Sequence, residues 1–414
     1  MAYIPTILNQ SNFDAFSRLR TSTPTTVFDS QLQYGLSPLS WQTYSVSGAS
    51  ATHLPSQSSA QITMPVTNGA RLLRQTYRYF RYQPGKSQLI IMTGVLGVAV
   101  ANQNKNIGYY DDQNGYFFQR TGTTVNAVER TFVSGVVVEN AVPQASWNID
   151  PFNGSGPSGV TLDVTKAQIF IIDAQWLGVG TVRMGFSIGG KIYYAHAFQH
   201  ANVLATAYTT TFNLPLRYEA INTAVSAGSN DMRQICSSVS SEAGFEDAWG
   251  RNFSAMTPIG TPKTVPTTGP VSVLAIRMSS TFGGIDNRGF VLPLNLDVMT
   301  GTNNISFELI FLSQGTGYTP GTFTAANPDS IVEFDTTGTL VLPTTGLTVD
   351  CGFVAAGQAQ TRSVASANLL NKLQIARNYN PIPANAVSDV LCLAATATGG
   401  SASVNACITW QEVR

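Results

Sequence analysis

Apolar residues along this chain come in short runs rich in Val, Ile, Phe and Tyr, and Gly, Pro or Asn ends each run before a helical stripe can build up. Where the runs alternate with polar residues they do so at every second position, which is strand periodicity. The pattern predicts strands over 88–96, 115–119, 133–139, 167–173, 182–188, 191–198, 271–278, 305–312 and 339–342, with helical periodicity weak nearly everywhere. Asn114-Gly115 tolerates positive φ and is expected to close a tight hairpin between aromatic strands, and Gly189-Gly190 to do the same. Residues 387–396 and 404–410, separated by Thr398-Gly-Gly-Ser, read as a terminal hairpin.

The pattern also divides the chain. In residues 1–40, Pro5, Pro24 and Pro38 separate isolated anchors such as Phe13, Phe16, Leu19 and Phe28, which predicts an extended N-terminal arm laid across another surface. Between Ser237 and Gly269 the alternation loosens again. The fold class expected is all-β. Residues 41–240 form a first antiparallel β-sandwich, jelly-roll-like, 241–270 a linker, and 271–414 a second sandwich. A chain of 414 residues is about two to three times the usual domain length, which agrees with two cores.

Composition sharpens this picture. Charged residues make up 11% of the chain against ~25% in ordinary soluble domains, so short uncharged side chains carry the polar load. Such a surface suits packing against neighbouring subunits. The 23 basic and 23 acidic residues cancel, which gives no global electrostatic case for nucleic acid or an anionic membrane. The start, Met1-Ala-Tyr-Ile-Pro, has no cationic leader and nothing approaches a membrane-spanning run, so synthesis in a host cytoplasm is expected. Cys236, Cys351, Cys392 and Cys407 show no C-x-x-C spacing and read as buried free thiols.

Catalytic patterns are hard to find. His196 and His200 have the four-residue spacing of a helical zinc site, but no Glu follows the first and the context is a strand, so packing roles are expected. Gly154-Ser-Gly-Pro-Ser-Gly159 reads as a turn and not as a nucleophile elbow. Glu242, Glu246 and Asp247 read as a solvated acidic loop. Asp111, Asp112 and Asn114 could line a calcium loop, but the hairpin uses the same residues. The expectation is a chain with no cofactor and no metal that catalyses nothing.

The densest chemistry lies in residues 71–86, where Arg71, Arg74, Arg78 and Arg81 interleave with Tyr77, Tyr79, Phe80 and Tyr82. Single-strand nucleic-acid binders combine arginines and aromatics in this way, and so do subunit interfaces. With zero net charge the interface reading is preferred: the stretch is expected to meet another subunit or to brace the arm, with Asp14 and Asp29 as mates for its arginines. Arg18 and Arg20 join Phe13, Phe16 and Phe28 as interface candidates on the arm.

Phrases across roughly the first 220 residues carry a resemblance. They include Phe13-Asp-Ala-Phe-Ser-Arg-Leu-Arg20, Phe28-Asp-Ser30, Arg78-Tyr79, Gln83-Pro-Gly-Lys-Ser87, Trp176-Leu-Gly-Val-Gly180, His200-Ala-Asn202 and Asn213-Leu-Pro-Leu-Arg-Tyr-Glu219. Together they resemble a family of uncharacterised virion structural proteins of tailed bacteriophages. At Ser37-Pro-Leu-Ser-Trp41 the chain departs from that pattern, which would place a second aromatic before the tryptophan. The resemblance implies a particle component, either a head decoration or a tail or baseplate appendage, self-assembling as a homo-oligomer expected to be a trimer and bound to other virion proteins. The alternative reading is a receptor- or glycan-binding tail protein. A glycan-cleaving spike is a third reading, disfavoured by the lack of a long β-helix repeat.

Overall fold

The computed structural model describes residues 22–244, 250–342, 346–363, 375–381 and 385–414. Arm positions Phe13, Asp14, Phe16, Arg18 and Arg20 lie outside the described residues, as do Glu246 and Asp247. What is described is antiparallel β-structure arranged as two pairs of sheets. No described helix is long and apolar enough to cross a membrane.

The first pair uses β1 (Thr25–Ser30), β2 (Trp41–Val46), β3 (Ser50–Leu54), β4 (Ser59–Met64), β5 (Arg71–Thr76), β6 (Gln88–Val95), β7 (Gln103–Tyr110) and β8 (Gly115–Thr121). It continues with β9 (Thr124–Thr131), β10 (Val138–Pro143), β11 (Gln168–Ala174), β12 (Val182–Ile188), β13 (Lys191–Phe198), β14 (Leu216–Asn222) and β15 (Asn230–Ser241). One sheet runs β13-β12-β11-β6-β15-β4-β3 with β1 also on β15, and the other runs β10-β9-β8-β7-β14-β5-β2. Period-two patterning places the core between them. In β6, Ile90 and Met92 are buried while Ile91 and Thr93 are partly exposed. From the facing sheet Ile107, Tyr109, Phe118 and Tyr218 fill the same interior. Each such side chain contributes roughly 1.5–3 kcal/mol by leaving water. On the opposite face of β7 from Ile107 and Tyr109, Gly108 lets β8 come close, since a Cβ there would sit 2.3 Å from the Tyr116 carbonyl oxygen.

The second pair begins after β15. A five-stranded sheet contains Arg251–Met256, Ala402–Val413, Phe290–Thr300 and Ala359–Ser363, with Lys263–Val265 also on Ala402–Val413. The facing six-stranded sheet centres on Val271–Met278, Val390–Ala397 and Ile305–Leu312. Trp410, Leu296, Phe307 and Leu393 belong to the core between them.

Several expectations need correction. Residues 25–30, expected to be irregular, form β1 and pair with Ser237–Ser241 of β15. Phe28 is half-buried and packs inside the chain against Trp41 and Phe80, so this arm anchor docks on the first sheet pair. Residues 133–137 are the tip of the β9–β10 hairpin and not a strand, because Ser134-Gly135 turns the chain inside the valine-rich run. The stretch expected as a linker contains two strands, which Ala402–Val413 recruits because its long ladder offers partners that local propensity could not reveal. The terminal pair is no hairpin: Val390–Ala397 and Ala402–Val413 enter opposite sheets, joined through Gly399 and Gly400 at φ 114° and 137°. Gly189-Gly190 does close β12 onto β13, with both residues at positive φ. At the β7–β8 turn only Gly115 takes positive φ, and Asn114 instead bonds Thr210 through its side chain. Cys392 is buried as expected, but Cys236 and Cys351 are exposed where burial was expected.

Candidate functional site

β5 carries the basic stretch, and strand alternation sends its arginines to opposite faces. Arg74 points inward and is 0% exposed. Its Nε donates to Gln234 Oε1 at 2.5 Å, its Nη1 to Thr43 Oγ1 at 2.7 Å and its Nη2 to the Leu36 carbonyl at 2.6 Å. A side chain so enclosed cannot meet a second subunit, and of the two roles expected for this stretch Arg74 takes the bracing one, through Leu36 of the arm. Tyr82 is also interior: it accepts the Trp176 N–H and meets the Trp176 and Phe212 rings edge-on. Arg78 reaches the described part of the arm through the Val27 carbonyl at 3.1 Å, and not through Asp29. Arg81 is half-buried, and its Nη1 finds no hydrogen-bond partner among the described residues.

Arg71 points outward and enters a charged cluster that sequence reasoning did not assemble. β14 lies beside β5, so Arg217 and Glu219, two residues apart on one strand, share that outer face. Arg71 lies 2.5 Å from Glu219 and 3.5 Å from Asp112, and Arg217 donates to Asp112 at 2.6 Å and to Gln75 at 2.8 Å. Tyr110 donates to Glu219 at 3.0 Å. The β7–β8 turn holds Asp111 in place, because its Oδ1 accepts the N–H groups of Gln113 and Asn114. Of the calcium-loop candidates, Asp111 holds the turn, Asp112 pairs with Arg71 and Arg217, and Asn114 bonds Thr210.

The second sheet pair closes this cluster from the other side. Arg288 donates to Asp111 at 2.9 Å and to Gln113 at 2.8 Å. The guanidinium groups of Arg71 and Arg217 lie 5.3 Å and 5.2 Å from the centre of the Tyr379 ring, which packs edge-on against Tyr44. Gln42 donates to the Tyr379 carbonyl at 2.8 Å and accepts the Tyr379 N–H. A cavity of about 70 Å³ remains, lined by Tyr79, Asp112, Arg217, Arg288, Arg377 and Tyr379 among others.

The electrostatics suit a clamp. Burial pushes the Asp112 carboxyl up, but Arg217 and Arg71 outweigh it and hold it at about 2. Burial likewise opposes ionisation of Glu219, and the same two arginines win, keeping it below its ordinary range. Both carboxylates are therefore charged at neutral pH and committed to guanidinium groups. The signal available in the sequence was the Arg217-x-Glu219 spacing. Arg288 and Tyr379 gave none, because loops place them and their partners lie far away along the chain.

No family model matches the chain, and no curated protein does. Solved structures share its sandwich architecture at low similarity. A glycosyl hydrolase family protein from Mycobacterium fortuitum is 8% identical over 52% of this chain and 99% of its own, with a TM-score of 0.36. A Bacillus licheniformis β-glucanase is 10% identical over 54% and 100%, with a TM-score of 0.33. The laminarinase catalytic domain of Thermotoga maritima is 12% identical over 54% and 100%, with a TM-score of 0.34. The expectation that the chain catalyses nothing does not stand beside proteins with these names, and it is withdrawn. Likeness at this level transfers no residue, substrate or activity to the chain.

Proposed function

We propose that this chain is a structural component of a tailed-phage particle, assembling with copies of itself as a trimer and with other particle proteins. The observation that carries the reading is the β9–β10 hairpin. β10 is the outer strand of its sheet, and the hairpin exposes Val133, Val136, Val137 and Val138, with Val136 at 63%. An open strand edge beside a cluster of exposed valines is costly in a free monomer and favours covering by another chain. The phrases shared with tailed-phage virion proteins and the low charge support the same reading. The described aromatics do not gather into a sugar-stacking platform, since Tyr34 and Phe353, the strongly exposed ones, lie on different sheet pairs.

The test is a density map of intact particles combined with protein mass spectrometry. The chain is expected in several copies per particle, with residues 133–138 buried between subunits. Particles that lack the chain, or that leave this hairpin in solvent, would overturn the proposal.

A further inference from the structure

The chain leaves β13 at Phe198 and turns immediately at His200, whose ring is almost fully enclosed. Both ring nitrogens face oxygens. Nε2 lies 2.6 Å from Glu129 Oε1 on β9, and Nδ1 lies 2.5 Å from the Gly180 carbonyl oxygen. A carbonyl and a carboxylate only accept, and a neutral imidazole carries a single N–H. In the neutral form one of these contacts would set a nitrogen lone pair against an oxygen lone pair. Only the imidazolium satisfies both.

The surroundings favour that charge. Glu129 Oε1 also accepts the Tyr116 hydroxyl of β8 at 2.5 Å, which orients the carboxylate. The Tyr208 ring stacks on His200 with centroids 3.8 Å apart and 20° between planes. From β13, His196 lies in the field of Glu129, but burial lowers its proton affinity and its Nδ1 accepts the Asn148 N–H. Among the described residues, Glu129 and Tyr208 are the titratable groups in contact with this ring, and Tyr116 and His196 lie around Glu129. The turn contributes only the Gly180 carbonyl.

His200 is also where two rim loops are fastened. The 175–180 turn and the loop after β13 are tied together by Tyr208 N–H to Gly178 O and by Trp176 Nε1 to Thr209 Oγ1. They display Leu177, Val203 and Leu204 to solvent, with Val203 at 71%. We propose that His200 is a charged latch, doubly protonated in the folded protein, that fastens both rim loops to β9 and lets them go as pH rises. Whether the rim aliphatics are held in one arrangement then depends on proton concentration.

The sign follows from the surroundings. Burial alone would drive the proton off, but the Glu129 carboxylate and the Gly180 carbonyl outweigh it and raise the pKa above the ordinary 6.5. A basic group with a raised folded-state pKa contributes stability that is complete below the unfolded value and is lost as pH climbs through the folded one. Nitrogen NMR of the imidazole in the intact chain tests this, with hydrogen exchange of residues 201–212 corrected for intrinsic rates. At pH 6.5 both His200 nitrogens should carry protons. Rim protection should fall as they titrate, whereas in His200→Gln it should be low and independent of pH. A single protonated nitrogen at pH 6.5, or wild-type rim protection that does not follow the titration, would overturn the latch. If the variant does not fold, the wild-type titration decides alone.

Discussion

Arg74 keeps its charge in the core by spreading it over an amide, a hydroxyl and a carbonyl. Burial lowers its pKa to about 10, which still leaves it protonated at neutral pH. Arg74→Ala strands Gln234 Oε1 and the Leu36 carbonyl and opens a void, so a loss of roughly 3 kcal/mol is expected, read as a shifted urea midpoint at unchanged slope. Lys105 on β7 is 2% exposed and donates to the Asp231 carbonyl at 3.2 Å and, at 3.4 Å, to that of Val98. Burial, helped by Arg120, lowers its pKa to about 7. The folded chain therefore binds fewer protons here than the unfolded one, and stability should rise as pH climbs from about 7 toward the ordinary lysine value of 10.5. Lys105→Met should remove that rise, measured by denaturation at a series of pH values. Neither side chain was legible as buried, since a polar residue inside a strand run normally marks the solvent face, and here its bonding partners come from other strands.

Among the elements, the segment leading into Tyr379 is held in part by a buried carboxylate. Asp389 accepts the Gln314 N–H at 2.8 Å and the Ala376 N–H at 3.2 Å, and both donors belong to segments that reach the first sheet pair. Gln314 donates to the Tyr77 hydroxyl at 3.0 Å, and Ala376 leads into Tyr379. Burial pushes the Asp389 pKa up to about 7. A carboxyl raised in the folded state stabilises most below its unfolded pKa and loses that contribution as pH rises through about 7. Calorimetry should accordingly show the two sheet pairs uncoupling, one transition broadening into two, as pH climbs from the ordinary 3.8 toward about 7, and Asp389→Asn should abolish that dependence. The strand pattern was open to reading where runs alternated cleanly: 182–188, 191–198, 271–278 and 305–312 match observed strands end to end. It misled where composition and geometry parted. A valine-rich run became a hairpin tip around Ser134-Gly135, and two glycines that suggested a hairpin instead carry the chain from one sheet to the other. The clamp stayed hidden because its halves, Arg217 with Asp112 and Arg288 with Tyr379, lie far apart along the chain and meet only in the fold.

At the scale of the whole molecule, the charged clamp and the Gln42–Tyr379 pair bind the sheet pairs into one body, while the outer edge of β10 stays open to neighbours. β15 is different again, because two strands share one of its sides. β4 takes Asn230–Gln234, and β1 takes Ser237–Ser241. β1 therefore occupies a slot that the rest of the sheet leaves ready. A chain beginning at Gln31 should bind a peptide spanning residues 22–30, seen as a rise in the anisotropy of the labelled peptide. A variant that folds but leaves the peptide free would mean the slot exists only with its own strand in place.

That slot has a consequence for how the protein is made. Thr25 pairs with Ser241, so β1 leaves the ribosome long before the strand that receives it exists. Until then its backbone edge has no partner strand. In a polysome, where nascent copies crowd together, the first free slot a waiting β1 meets can belong to a neighbour, and the exchanged strand would fit there by the same register. Timing during synthesis would then help to decide whether the finished chains are separate or threaded through one another.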